Sequence, residues 1–146
     1  MRRFHFNLEK VLEWRKYREG ETEIELGRAI AALTIIQNSL KENAAKHNQA
    51  AEERFAQTNI RDIQYYDLYV RRLESEKEKL LAEAARAALV IEEKRAVYLE
   101  ASRDRKVLDK LREKREKEYR KTMLAGETKE LDDIASLGLA RNRAEK

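Results

Sequence analysis

Apolar residues recur along this chain in alternating steps of three and four. One such seam passes through Leu12, Arg15, Glu19, Thr22, Leu26, Ala29, Leu33, Ile36, Leu40 and Asn43, six of the ten positions being apolar. Its failures cluster between Arg15 and Thr22. A cleaner seam runs through Ile63, Tyr66, Val70, Leu73, Lys77, Leu80, Ala84, Ala87, Ile91, Lys94, Tyr98, Ala101, Arg105 and Leu108, with eleven of fourteen positions apolar. A repeat sustained over this length marks a coiled-coil seam rather than one face of a globular helix. The basic exceptions can lay their stems along the seam and keep their charges in water. Between the two seams the pattern lapses in QTNIRD, where Thr58, Asn59 and Asp62 are each suited to cap a new helix.

These patterns predict an all-α fold of two long helices in an antiparallel coiled-coil hairpin, with helix 2 overhanging at the C-terminus. The chain reads as a single coiled-coil domain over residues 1–146: a first helix at about 7–56, a turn at about 57–60, and a second helix at about 61–137, frayed after 125. Asn7 is the expected N-cap of the first helix, with Phe6 and Val11 as a hydrophobic staple around its first turn. Folding the chain back about residue 58 sets Leu26 against Ile91, Leu33 against Ala84, Ile36 against Leu80 and Leu8 against Leu108. Everything beyond Leu108 is then left without a partner helix within the chain, and the repeat fades there, in DKLREKREKEYRK.

Composition supports the helical reading. The chain has no proline and four glycines, and 41% of its residues are charged. There is too little turn punctuation for a many-stranded fold. Disorder is disfavoured by an apolar share of 42% and a net charge of only +4. Cysteine is absent, which removes disulfides, thiolate catalysis and cysteine metal sites from consideration. The N-terminal MRRFHFNLEK lacks the apolar core of a signal peptide, and no window approaches a membrane span. A cytoplasmic protein is expected.

Charge is unevenly placed. Residues 1–20 carry six basic and three acidic side chains and residues 109–121 seven and four, whereas 21–108 carry fifteen against sixteen. The open end of the hairpin is thus positive, interrupted by Glu127, Glu130, Asp132 and Asp133. Such charge either forms a solvated face stitched by i,i+4 pairs or steers an unpaired helix into an acidic socket. Nucleic acid is not the expected partner, because acids offset bases throughout and no recognition motif is present.

Catalytic chemistry finds no support. His5 and His47 lack ligands at metal-site spacing, Gly20 and Gly27 do not form a phosphate loop, and acid pairs such as Glu52–Glu53 and Glu92–Glu93 fall on exposed faces. The expectation is a non-enzymatic protein without cofactor or metal. Two features read better as docking groups. Tyr65, Tyr66 and Tyr69 crowd the start of the second helix near Arg72 and Leu73, either as a cover for the hairpin tip or as an aromatic binding spot. Near the C-terminus, Leu131 and Ile134 bracket Asp132 and Asp133 on a helix that has outrun its partner.

Three blocks, in order, carry a family likeness: FHFNLEKVLEWRKYREGETEIELG, QYYDLYVRRLE, and KLREKREKEYRK followed by KELDDIA. Together they span nearly the whole chain and resemble the FliJ family of flagellar type III export proteins. The stalk protein of the virulence injectisome is a related alternative that shares fold and role. The resemblance implies an antiparallel two-helix coiled coil like the central stalk of rotary ATPases. Its implied role is a non-enzymatic component of the export apparatus that binds the hexameric export ATPase and promotes its assembly and activity. It is also expected to contact the cytoplasmic domain of the membrane export gate and to handle export chaperones. The implied location is cytoplasmic, at the inner membrane beneath the flagellum.

Carried onto this sequence, the implied ATPase-binding residues are Leu8, Leu12, Trp14, Leu111, Tyr119, Leu131, Asp132, Asp133 and Ile134. The implied gate-binding residues are Tyr65, Tyr69, Arg72 and Leu73, where Tyr69 and Leu73 match the family's aromatic-x-x-x-Leu spacing. The family usually closes with an Asp-Glu pair, for which Asp132-Asp133 stands here with a shorter second side chain. Gly126 is a further departure, expected to bend or fray the overhang. Other classes also remain open: a free-standing coiled-coil adaptor and, with less support, a nucleic-acid-binding hairpin.

Overall fold

The computed structural model describes residues 2–145. Two helices carry most of them: α1, Glu9–Phe55, and α2, Ile60–Ala144, joined by residues 56–59. No strand occurs among the described residues. The all-α pair of long helices is the fold the two seams require.

The reversal is closed by short-range bonds. Ala56 N–H bonds to Glu53 C=O at 3.2 Å and Gln57 N–H to Arg54 C=O at 3.1 Å, tightening the last turn of α1. Of the capping candidates, Asn59 takes the role, its Oδ1 accepting the Arg61 N–H at 3.0 Å. No described residue has positive φ, so this turn needs no glycine, which is why none marks it. At the other end, the first turn of α1 is closed by Glu9 N–H on Phe6 C=O and Leu12 N–H on Leu8 C=O, while Asn7 is exposed. The staple also differs from expectation. Phe6 is buried against Leu12 and Leu108, and Val11 is left 41% exposed.

The chain divides into two compact units: Met1–Tyr17 with Ser102–Lys146, and Arg18–Ala101. In the unit Arg18–Ala101 the helices run antiparallel on their seams. Each α1 seam position from Glu19 to Asn43 is buried or half-buried, as is each α2 position from Ile63 to Ala101 except Lys77. Asn43 is buried, and its Nδ2 donates to the Leu73 carbonyl at 3.0 Å. Those two numbers sum to 116, the level expected for a fold about residue 58. Longer side chains meet at higher sums: 119 for Glu25 with Lys94, at 3.2 Å, and 121 for Arg54 with Asp67, at 2.7 Å. Side chains on both helices lean toward their own N-termini, so in an antiparallel pair the groups that touch lie beyond the level of their Cα atoms. The seam arithmetic is correct for the backbone and short by about a turn for the charges.

The unit Met1–Tyr17 with Ser102–Lys146 is built differently. Its core is Phe6, Leu12 and Leu108, with Phe4, Leu8 and Leu111 packed on it. Residues 2–6 are not helical, yet they lie along α2. The Phe4 ring stands 5.7 Å from that of Tyr119, the Tyr119 hydroxyl donates to the Arg2 carbonyl, and the Arg115 guanidinium lies 5.9 Å from the Phe6 ring centre. Glu9 and Arg112 pair at 3.0 Å. This corrects the expectation that α2 is unpartnered beyond Leu108. The first turn of α1 reaches Arg112 through Glu9, and beyond it the non-helical N-terminal segment covers α2 as far as Tyr119. The helical repeat fades at 109–121 because the partner beyond that turn is not a helix, so steps of three and four are no longer what it needs. Beyond Met123 every described residue is exposed, and α2 continues through Gly126 and past the expected stop near 137 to Ala144.

Candidate docking surfaces

Among the residues singled out at the terminal end, two kinds of position appear. Leu8, Leu12, Leu111 and Tyr119 are brought together around the Phe6 cluster. Leu12 is 1% exposed, so its contribution is to hold that cluster. Trp14, Leu131, Asp132, Asp133 and Ile134 are exposed. Leu124, Leu131, Ile134 and Leu139 are each more than 60% exposed. With Ala135 and Gly138, the residues from Leu131 to Leu139 follow the i, i+3, i+4, i+7, i+8 pattern of one apolar helix face. Consecutive residues fan around a helix and do not share a face. Asp132 therefore borders the stripe and Asp133 points away from it, so the apolar-acidic-apolar signature is not presented to one flat surface.

The second surface lies beside the turn. Tyr65 and Tyr66 meet edge to face, with centroids 5.7 Å apart, and the groove around them is lined by Lys46, Gln49, Ala50, Glu53 and Tyr69. The Tyr66 hydroxyl is hydrogen-bonded to Glu53. That bond, with partial desolvation and the nearby Glu53 and Asp62 charges, holds the phenol above its ordinary value of 10.0. Because the folded value is raised, the interaction stabilises the fold at neutral pH and is lost only as pH climbs through that higher range. Tyr65 is exposed and Tyr69 half-buried, Arg72 pairs with Glu76 on its own helix at 3.5 Å, and Leu73 is buried under Asn43.

Sequence reading missed several contributors. Phe4 and Phe6 alternate with a period of two, a signal for a non-helical segment burying one side. The Asn43–Leu73 bond, the Tyr66–Glu53 bond and the pairing of His47 with Glu74 at 3.8 Å all join residues far apart in sequence. Leu139 completes the exposed stripe, a signal available in its eight-residue spacing from Leu131. No helix among the described residues is long and apolar enough to cross a membrane.

Two long helices on coiled-coil seams, with an aromatic groove near the turn and an apolar stripe on an uncovered helix, define a helical-hairpin protein whose distinctive surfaces suit docking to other proteins. The family model described as Flagellar FliJ protein matches residues 4–144, and the chain belongs to that family, whose members are non-catalytic components of flagellar protein export. No curated protein and no solved structure matches the chain.

Proposed function

We propose that this chain acts as the stalk of the flagellar export machinery: it binds the hexameric export ATPase, promotes its assembly and activity, and links it to the membrane export gate and to export chaperones. The observation that carries this reading is the last stretch of α2, from Met123 to Ala144, in which every side chain after Met123 is exposed and four apolar residues share one face. A helix left uncovered in this way is suited to insertion into a partner that surrounds it. Leu131 and Ile134 make the apolar contact, Asp132 meets donor groups beside it, and Asp133 meets the opposite wall. Trp14, Leu8, Leu111 and Tyr119 contribute at the base of the same segment, and Leu12 supports them from the core. The gate contact belongs to Tyr65, Tyr69 and Arg72, with Leu73 beneath as their support. The protein works in the cytoplasm at the membrane beneath the flagellum.

The test is binding of the cognate ATPase to variants of the full chain. Leu131→Asp with Ile134→Asp places two charges in an apolar contact and should weaken binding at least about a hundredfold, roughly 3 kcal/mol. Asp132→Ala should cost less than tenfold. Unchanged binding by the Leu131/Ile134 variant, with helix content preserved, would remove the stripe from the interface.

A further inference from the structure

The exposed stripe on α2 is flanked by charge in a pattern that a random solvated helix does not require. Glu130 and Arg141 lie on one flank, and Asp132 and Arg143 on the other. Each acid precedes its arginine by eleven residues, about three helical turns, so each pair returns to nearly the same side of the helix. Between the flanks lie Leu131, Ala135, Gly138 and Leu139, with Leu124 one heptad before Leu131. All are exposed, and a side chain added at Gly138 would meet nothing within 4 Å. None of the four flanking charges has an ion-pair partner among the described residues.

We propose that a second copy of this chain covers this stripe, its residues 124–145 lying antiparallel to those of the first. The charge arrangement selects both the occupant and the direction. A two-fold antiparallel pair brings like flanks together with their ends exchanged, so Glu130 of each copy meets Arg141 of the other, and Asp132 meets Arg143. Four pairs form from two kinds of contact. A parallel pair would instead bring opposite flanks together, Glu130 of each copy beside Asp132 of the other and Arg141 beside Arg143, so that like charges meet on both sides. The register implied by the charges, after allowing for the N-terminal lean seen in the pairs within this chain, sets Leu131 against the gap at Gly138. Ala135 then lies near its own copy at the two-fold axis. The dimer occupies the stripe assigned above to the ATPase, so self-association and ATPase docking exclude one another. The self-association itself does not depend on that assignment.

Sedimentation of the full chain over a wide concentration range tests this. The native chain should pass from monomer to dimer. Arg141→Glu with Arg143→Glu should weaken dimerisation about tenfold or more, because all four pairs become repulsions. Adding Glu130→Arg and Asp132→Arg to that variant should restore it. Circular dichroism of each variant checks that helix content is kept. The chain has no cysteine, so single probes report direction cleanly: Ala135→Cys should form a disulfide-linked dimer and Thr128→Cys should not. A native chain that stays monomeric, charge-reversed chains that associate as well as native, a swap that fails to restore association with helix content intact, or equal cross-linking at both probes would each overturn the proposal.

Discussion

Asn43 stands between the helices, 6% exposed, and gives its amide N–H to the carbonyl of Leu73, itself 3% exposed. A buried amide in an otherwise apolar seam stabilises less than leucine would, but it is satisfied in one alignment of the two helices, and a slip of either leaves it unpaired. Register near the turn is therefore fixed by one side chain more than by the exposed ion pairs around it. Arg54–Asp67 and Glu25–Lys94 are each 40% exposed or more on both sides and contribute on the order of 0.5 kcal/mol apiece. Asn43→Ala should lower the unfolding free energy in urea by about 1 kcal/mol. Asn43→Leu should hold or raise it while allowing more than one alignment, visible as multiple amide resonances for residues around position 43. A single set of resonances in the leucine variant would mean that the hydrophobic seam alone sets the register.

At the scale of elements, α2 beyond Met123 stays helical without a tertiary partner and with Gly126 and Gly138 inside it. The surrounding Ala, Leu, Glu and Lys are strong helix formers and offset the two glycines, each of which costs about 1 kcal/mol relative to alanine. A Cβ at Gly126 would meet nothing within 4 Å, so Gly126→Ala should raise helix content and slow amide exchange over residues 124–145. The melting of the unit Arg18–Ala101 should be unchanged. Slower exchange confined to the latter unit would contradict this account. The two long seams were readable from spacing alone, because steps of three and four are the geometric condition for one helix to pack on another. The N-terminal clasp was not. Phe4 and Phe6 follow the period of a non-helical segment, and their partners Leu108, Leu111, Arg115 and Tyr119 need satisfy no heptad. The fraying expected after 125 gave too much weight to Gly126 and too little to the helix formers on either side of it.

For the whole molecule, membership of the FliJ family and the placement of its exposed surfaces bear on the same proposal from different directions. The uncovered part of α2 is the segment that the chain's own packing does not use. The aromatic groove of Tyr65, Tyr66 and Tyr69 lies beside the turn, in the other unit, so two partners can be engaged by separate parts of one chain. How much of either surface could be read in advance also differs. Leu131 and Ile134 announced themselves through their spacing, whereas the opposed directions of Asp132 and Asp133 emerge only once the segment is known to be regular helix. Leu12 and Leu73, read as contact residues through the family likeness, lie in the packed interior, where their effect on a partner passes through the side chains they support.

The central claim, that the uncovered helix is the working part of an ATPase stalk, is tested most directly by ATP hydrolysis. The cognate export ATPase is assayed alone, with the full chain, and with a chain ending at Met123, which keeps the Phe6–Leu12–Leu108 cluster and the contacts of Arg2 and Phe4 with Tyr119. Stimulation by the full chain and its loss with the shortened one is the predicted result. Equal stimulation by both would contradict it and move the activity to the packed part of the molecule.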